Sequence, residues 1–572
     1  MALSLPVPRV RRAVRTPGPY TIVTGILAAG VVFVVLYPLL RLAFEVFAPG
    51  GRPTIEPFQR AFALPDIGTT IANTALIVLL STGLSVVIAA GFAWLNERTD
   101  ARLGVVADLL PLMPLVVPAL MGAVGWVFLL SPRAGVLNVL LRDLTGGGES
   151  GPLNISSLWG LVFMYTLILT PYVYLPVSAA LSQLDSSLEE AARINGDGPF
   201  RAMVRVTLPA IKPALTAGAF TAFVIGLATF SIPMIIGPAA HIDVLSVRIY
   251  RLMTQGYPPD TNAATALGAL LMFFVLIAWL LQRRVVRGGA YAKIGGKGAQ
   301  HGTVSLGWWR WPARLVMVVF LLVGSVVPFL ALLYISLRGF WTADLTLRGM
   351  TLSNYQDVFS NPSTWSGIKV SVTLAAIGSV LGMVLAAILA VYVQSRTGLL
   401  SRVVDGVTKL PSAINHIVIA VAFVTVFSLP PFRMYGSISL LLLAYLVLFL
   451  PQANLTAGAA YTQISSEMME ASAVSGAARG RTFGRITLPL MMPGLAGGVA
   501  ILFVSIAGEI TASSLLATSG RPVIGFVVLD LWTSGTFPLI AALGTLMTVI
   551  SATAVAVALY LGKFRAAARA RA

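Results

Sequence analysis

The chain has 572 residues, of which 57% are apolar and only 10% are charged, and its mean hydropathy is +0.88. Soluble globular proteins carry about 25% charged residues, so this composition excludes an ordinary soluble enzyme. The net charge of +18 is explained better by basic residues that flank membrane spans than by nucleic-acid binding. The sequence contains no cysteine, which excludes disulfides, thiolate metal sites and cysteine nucleophiles.

Apolar segments recur along the whole chain. A helix needs about 20 mainly apolar residues to cross the hydrocarbon core of a bilayer. The alternating pattern of membrane strands is absent, so the sequence predicts an all-α membrane protein. Twelve segments qualify, at about residues 20–47, 69–95, 108–130, 157–181, 211–236, 263–282, 313–337, 367–394, 406–428, 437–461, 491–517 and 537–562.

Basic residues mark one side of these predicted spans. Most of the 39 Lys and Arg residues fall in the two tails, in the central linker and in loops on the same side as the tails. Lys and Arg concentrate on the cytoplasmic side of membrane proteins. We therefore expect a multi-pass membrane protein with both termini in the cytoplasm.

The chain contains an internal repeat, which is clearest in two loops 280 positions apart. Residues 190–215 and 470–495 are identical at ten of 26 positions without a gap. Each copy lies between the fourth and fifth predicted span of its own half. Six spans per half give both halves the same orientation, which is the parallel type of transporter repeat. The predicted organisation is a first half at 1–282, a basic Gly-rich linker at 283–312 and a second half at 313–572.

Each repeated loop predicts a short helix, a glycine turn and a second short basic helix outside the bilayer. Ser186 and Glu189 have the spacing of an N-terminal capping box. Gly196 and Gly476 stand where the first helix would end, because glycine adopts the left-handed conformation that closes many helices. The small alanine side chains before each glycine would let another protein surface approach closely.

At these residues the sequence resembles the permeases of ATP-binding-cassette importers. That family carries a cytoplasmic Glu-Ala-Ala motif, followed by Gly and then by a Leu-Pro pair, and both loops follow this order. The second copy departs at Ser472, a small residue where the first copy has Ala192. The docking loops implied by the resemblance are 185–213 and 465–493, and their docking residues are Glu190, Ala191, Gly196, Glu470, Ala471 and Gly476.

The resemblance implies the type I importer permease fold, with about 12 transmembrane helices in two parallel six-span repeats. It also implies that each loop docks on an ATPase subunit and that an extracytoplasmic binding protein delivers the substrate. We expect two ATPase copies per chain, because both docking loops lie in one polypeptide. The sequence has no G-x-x-x-x-G-K-[ST] phosphate loop. We therefore expect a transport subunit with no cofactor of its own, and ATP and Mg on the partner subunits.

A fused permease of this size resembles the ferric-iron group, so ferric iron is the expected substrate. Thiamine, polyamines and aminophosphonates are alternatives that use the same machinery. A proton-coupled secondary transporter, with Glu509 as the relay, is another alternative, although it gives no reason for the paired loops. A membrane enzyme acting on lipid is disfavoured, because no loop carries a cluster of acids, metal ligands or nucleophiles.

Glu509 is the first candidate for the substrate path, because ionisable residues inside a span are costly and usually functional. We expect its carboxylate to meet a cation or to act as a gate, and the alternative is a purely structural glutamate. Thr229 and Ser231 lie near the equivalent position of the first half. Asn415 and His416 are further candidates, with core hydrogen bonding as the alternative. Two isolated residues do not make a resident metal site, and none is predicted.

Overall fold

The chain is described here by a computed structural model. The middle of the predicted linker, the first part of the predicted third span and Ser186 lie outside the described residues. Within the described residues the protein is helical, with two isolated bridges between single residue pairs. The described residues are 19–48, 51–103, 117–146, 148–185, 187–287, 303–342, 346, 348–395, 398–462 and 464–569.

The helices of the first half alternate between long apolar segments and short connecting segments. In chain order they are α1 (Pro19–Phe47), α2 (Glu56–Ala63), α3 (Ile67–Arg98), α4 (Ala119–Leu130), α5 (Val136–Thr145), α6 (Leu158–Gln183), α7 (Ser187–Ile194), α8 (Pro199–Ala202), α9 (Leu208–Ala210), α10 (Lys212–Ala228), α11 (Ser231–Ala240), α12 (Leu245–Thr254) and α13 (Thr261–Arg287).

The second half repeats this order with few differences. Its helices are α14 (Arg310–Leu321), α15 (Val327–Ser336), α16 (Ser353–Ser360), α17 (Pro362–Gln394), α18 (Leu399–Lys409), α19 (His416–Phe427), α20 (Ile438–Thr462), α21 (Ser466–Val474), α22 (Arg479–Thr482), α23 (Leu488–Ala507), α24 (Ser513–Leu516), α25 (Ile524–Thr533) and α26 (Phe537–Arg569).

Nine helices among the described residues are long and apolar enough to cross a membrane, or up to twelve if three bent pairs each count as one span. The bends in these pairs measure 75°, 89° and 110°. The upper count equals the number of spans predicted from the sequence, but the two sets differ. The bent pair at 231–254 was not predicted as one span, and the described part of the predicted span 108–130 is the 12-residue helix α4. The sharpest bend lies between Leu399–Ala413 and His416–Phe427.

Three predicted spans are wrong as continuous helices. The predicted spans 211–236 and 491–517 both break near their middle, after Ala228 and after Ala507. The predicted span 406–428 breaks before His416. At two of these breaks a polar residue caps the backbone that follows: Asn415 Oδ1 accepts the Ile417 N–H at 2.9 Å, and the Glu509 carboxylate accepts the N–H groups of Ala512 and Ser513.

The two halves interlock through their first spans. In the first half α1 packs against α19 of the second half, and in the second half α15 packs against α4 of the first. Each half therefore completes its helix layer with a helix from the other. Because of this exchange, a displacement within one half changes the packing of the other.

Inside each half the long helices approach closely through small and hydroxyl-bearing residues. Ser81 Oγ on α3 donates to Val162 O on α6 at 3.2 Å, and Ser85 Oγ donates to Thr166 O at 3.2 Å one turn later. In the second half a Cβ added to Gly498 on α23 would lie 2.2 Å from the Met383 side chain. Such contacts replace the hydrophobic driving force that is missing between helices in lipid.

Candidate functional site

The two repeated loops have the same backbone geometry. Helices α7 and α21 end just before Gly196 and Gly476, whose φ angles of +90° and +73° are left-handed. The next N–H groups turn back to the helices, with Asp197 N donating to Ala192 O at 3.1 Å and Ala477 N donating to Ser472 O at 3.2 Å. The sequence-predicted glycine turn is therefore present in both loops.

The second short helix of each loop continues into a π-helical turn before the fifth span begins. These turns are Met203–Thr207 and Phe483–Thr487, again 280 positions apart. In the first loop Arg201 and Arg205 both face the Asp197 carboxylate, at 3.7 and 3.5 Å. π-helical turns are rare and often occur at functional sites. Their repetition at one offset marks the loop as a structural unit.

The surface of both loops combines small, acidic and apolar residues. Glu190 and Ala191 are exposed, and so are Glu470 and Ala471 at the repeated positions. One large apolar side chain stands at the end of the first helix of each loop: Ile194 is 87% exposed and Val474 is 89% exposed. The same exposed apolar position therefore recurs in both loops, 280 positions apart.

The one departure from the motif has a local partner. Ser472 is buried, and its Oγ lies 2.8 Å from Thr482 Oγ1, so the two hydroxyls share a hydrogen bond inside the second loop. The equivalent residues of the first loop are Ala192 and Ala202, which have no side-chain hydrogen-bonding groups. The paired change from Ala to hydroxyl at two contacting positions preserves the loop geometry.

Replacing Gly196 or Gly476 by alanine is expected to destabilise its loop by about 1–2 kcal/mol, because a Cβ is unfavourable at positive φ. Gly198→Ala and Gly484→Ala are matched controls, since neither has a positive φ and nothing lies within 4 Å of the added Cβ. Limited proteolysis of the purified protein measures the effect, with cleavage in the loop about 5–30 times faster in the two test variants. Equal cleavage rates in test and control variants would contradict the expectation.

Glu509 sits where the eleventh predicted span breaks. Its side chain is 2% exposed, and its two oxygens accept the N–H groups of Ala512 at 2.8 Å and Ser513 at 2.9 Å. The Ser513 hydroxyl also donates to Glu509 Oε2 at 2.7 Å and lies 2.7 Å from the Tyr445 hydroxyl. The carboxylate therefore caps the backbone that restarts after the break.

His416 lies beside this carboxylate. Its Nδ1 is 3.6 Å from Glu509 Oε1, and its side chain is 32% exposed. The imidazole ring packs edge-on against Phe449, with 5.8 Å between ring centres. Of the pair, His416 is thus the member that remains accessible, while Glu509 is enclosed by protein donors.

Asn415 ties this cluster to the other half. Its Nδ2 donates to Leu227 O at 2.9 Å, close to the break that follows α10 in the first half. At that break Thr229 O accepts the Ser246 hydroxyl at 2.9 Å. The first half also contacts the break of the second half. A Cβ added to Gly508, at that break, would lie 3.7 Å from Pro118 of the first half.

The structure therefore brings Glu509, His416 and Asn415 together and connects them to the first-half break at Thr229. Ser231 begins α11 just beyond that break. Among the described residues no group of three or more His, Asp or Glu side chains is placed to hold a metal ion. Sequence reasoning missed Pro118 and the contact between halves, although Pro118 and Asn415 both precede the third apolar helix of their half, which is a usable signal.

The comparisons with known proteins agree with this duplicated architecture. The family described as binding-protein-dependent transport system inner membrane component matches residues 81–288 and again residues 378–566. The ferric transport system permease protein FbpB of Actinobacillus pleuropneumoniae is 23% identical over 521 residues, which cover 91% of this chain and 74% of that relative. The Fe(3+)-transport system permease protein FbpB 2 of Haemophilus influenzae is 25% identical over 503 residues, covering 86% and 88%.

Other similar proteins match one half. The sn-glycerol-3-phosphate transport system permease protein UgpA of Salmonella typhimurium is 27% identical over 235 residues, covering 40% of this chain and 77% of that relative. A solved bacterial ABC transporter involved in the import of the acidic polysaccharide alginate is 21% identical, with a TM-score of 0.37, covering 46% of this chain and 95% of that one. Because the two family matches together cover most of the sequence, the chain belongs to the family of binding-protein-dependent transport system inner membrane components and carries its domain twice.

Proposed function

We propose that this permease forms the translocation path of an ATP-driven importer whose substrate is ferric iron. The observation that carries the proposal is the pair of loops with one geometry, 280 positions apart, each presenting an exposed apolar residue beside the Glu-Ala pair. Family membership supports a transport subunit rather than an enzyme. The ferric-iron assignment is supported by relatives named for ferric transport that align over most of both chains.

The proposed complex contains one copy of this chain, two ATPase subunits and an extracytoplasmic binding protein, embedded in lipid of the inner membrane. The docking residues are Glu190, Ala191, Gly196, Glu470, Ala471 and Gly476. ATP and Mg belong to the ATPase subunits, and the chain needs no cofactor or resident metal of its own. The loops and both termini face the cytoplasm in this proposal, and the halves meet through the linker predicted at 283–312.

In the proposed path the central constriction lies where the two breaks meet. Glu509 fixes the backbone at the second break through its hydrogen bonds to the N–H groups of Ala512 and Ser513, and the partly exposed His416 lies beside it. Asn415 connects this point to the first half near Thr229, and Ser231 follows on the far side of that break. In this arrangement Glu509 acts as a gate through hydrogen bonds, and movement of either half changes the constriction.

The experiment that tests the substrate is isolation of the cognate binding protein with its bound ligand. We expect mass spectrometry and metal analysis of that protein to identify Fe(III), and uptake of radioactive iron to require this chain. Thiamine, a polyamine or an aminophosphonate in the binding protein would replace ferric iron in the proposal. Uptake that survives ATP depletion and stops with an uncoupler would favour a proton-coupled secondary transporter instead.

A further inference from the structure

A buried arginine closes the end of two spans in the first half. Arg98 is the last residue of α3 and is 1% exposed. One of its terminal nitrogens donates to Leu181 O at 2.9 Å and also to Leu184 O, the last carbonyls of α6. A cation at a helix C-terminus satisfies these carbonyls and complements the helix dipole. Arg98 therefore joins the second span to the fourth.

The same arginine faces the first docking loop. Arg98 Nε lies 3.9 Å from Glu189 Oε1, and both side chains are almost fully buried. That carboxylate oxygen also accepts the Thr207 hydroxyl at 2.6 Å, so Glu189 connects α7 to the base of the fifth span. Arg98 Nε makes no hydrogen bond among the described residues. The distance between Arg98 Nε and Glu189 Oε1 is therefore about 1 Å longer than that of a hydrogen bond. A small shift of α7 toward Arg98 would form that hydrogen bond.

The segment after Arg98 is hydrogen-bonded to the end of the linker and to the start of the second half. Val304 N donates to Arg98 O at 2.8 Å, and Leu306 N donates to Asp100 Oδ1 at 2.9 Å. The hydrogen bond from the Leu306 backbone holds the pKa of Asp100 below its ordinary value. Arg314 at the start of the second half donates to Asp100 O at 2.8 Å. The turn that carries Arg98 thus touches both the first docking loop and the beginning of the next half.

The second docking loop is built differently at this point. Met469 occupies the position 280 residues after Glu189, so the carboxylate is replaced by a thioether. Thr487, the equivalent of Thr207, is fully buried, and its Oγ1 lies 3.6 Å from Met469 Sδ. Position 469 therefore cannot contribute to a charged link between the second loop and its spans.

We propose that the Arg98–Glu189 pair is a coupling link of the first half. It carries displacement of the first docking loop to the ends of the second and fourth spans and, through Asp100, to the second half. The two docking loops are then mechanically unequal, with the first one dominating the coupling of ATP hydrolysis to substrate movement. This inference rests on the proposed function, because it assigns roles within the docking loops of an importer.

The test compares Glu189→Met, which gives the first loop the residue of the second, with the wild-type chain in proteoliposomes containing the ATPase and the loaded binding protein. We expect the ratio of substrate-stimulated to basal ATP hydrolysis to fall about tenfold, within the usual range of coupling between sites. Association with the ATPase is expected to stay within about twofold, because Glu189 is buried behind the docking surface. Thr207→Val and Thr487→Val are a matched pair, and only the first is expected to lower the ratio.

A second variant separates coupling from folding. Arg98→Met combined with Glu189→Met removes both charges, and such apolar replacements of a buried pair commonly preserve stability. We expect this double variant to stay folded at the assay temperature, with an unfolding temperature lowered by the loss of the Arg98 donor to the Leu181 and Leu184 carbonyls, and still to lose coupling. An unchanged hydrolysis ratio in either Glu189 variant, or loss of ATPase association, would overturn the coupling link. A wild-type chain that binds no ATPase would overturn the proposed function itself and the link with it.

Discussion

Glu190→Lys combined with Glu470→Lys is expected to abolish ATP-dependent uptake and to release the ATPase subunits from the purified complex. Both glutamates are exposed at the same position of their loops, beside Ile194 and Val474. A bulky cation in the centre of each contact would weaken docking by about 2–4 kcal/mol, as disruption of central interface residues does. Each single variant leaves one docking loop intact and is expected to retain part of the uptake.

Co-purification of the ATPase and uptake in energised vesicles provide the two measurements. Glu56→Lys is the control, because Glu56 is also exposed but lies on α2, after the first span rather than after the fourth. The three spans predicted between them, at about 69–95, 108–130 and 157–181, would place α2 on the opposite side of the membrane from the docking loops. Full uptake by the double variant, or ATPase loss caused equally by Glu56→Lys, would contradict docking through these loops.

The sequence predicted the features that depend on local composition. Long apolar runs required membrane helices, and the repeat at 280 positions required two similar halves. Gly196 and Gly476 predicted the ends of α7 and α21 because a left-handed turn favours glycine wherever it occurs. None of these predictions requires knowing which distant residues come into contact.

The breaks within spans were not predictable in the same way. The apolar run continues through Glu509 and through Asn415, so hydropathy alone indicates an uninterrupted helix at both places. Whether a polar residue inside such a run faces a neighbouring helix or caps a new one depends on which donors surround it. For Glu509 those donors are the N–H groups of Ala512 and Ser513, which become available only once the helix has ended.

Contacts between the halves could not be predicted from the sequence either. The exchange of α1 and α15 between halves and the hydrogen bond from Asn415 to Leu227 O join residues far apart in the chain. The long-range contacts of Glu189 were unpredictable for a related reason. Its spacing from Ser186, which lies outside the described residues, predicted a local cap and gave no sign that its carboxylate accepts the Thr207 hydroxyl and faces Arg98.

Glu509→Ala is expected to lower the free energy of unfolding by at least about 3 kcal/mol, because it leaves two buried N–H groups without acceptors. The same change is expected to reduce uptake about tenfold or more, since the restart of the chain after the break shapes the constriction between the halves. Glu509→Gln keeps one acceptor oxygen but places an amide donor against an N–H group. We therefore expect its effect to be intermediate.

Thermal unfolding in detergent and uptake in vesicles measure the two effects together. For stability, Thr229→Ala, 280 positions earlier, is the matched control, because the Thr229 hydroxyl donates to Ile225 O of the preceding helix at 2.8 Å and its loss should cost about 1 kcal/mol or less. Normal stability of Glu509→Ala with complete loss of uptake would instead assign the carboxylate to the substrate. If both properties stayed at wild-type values, the gate would have to lie elsewhere in the path.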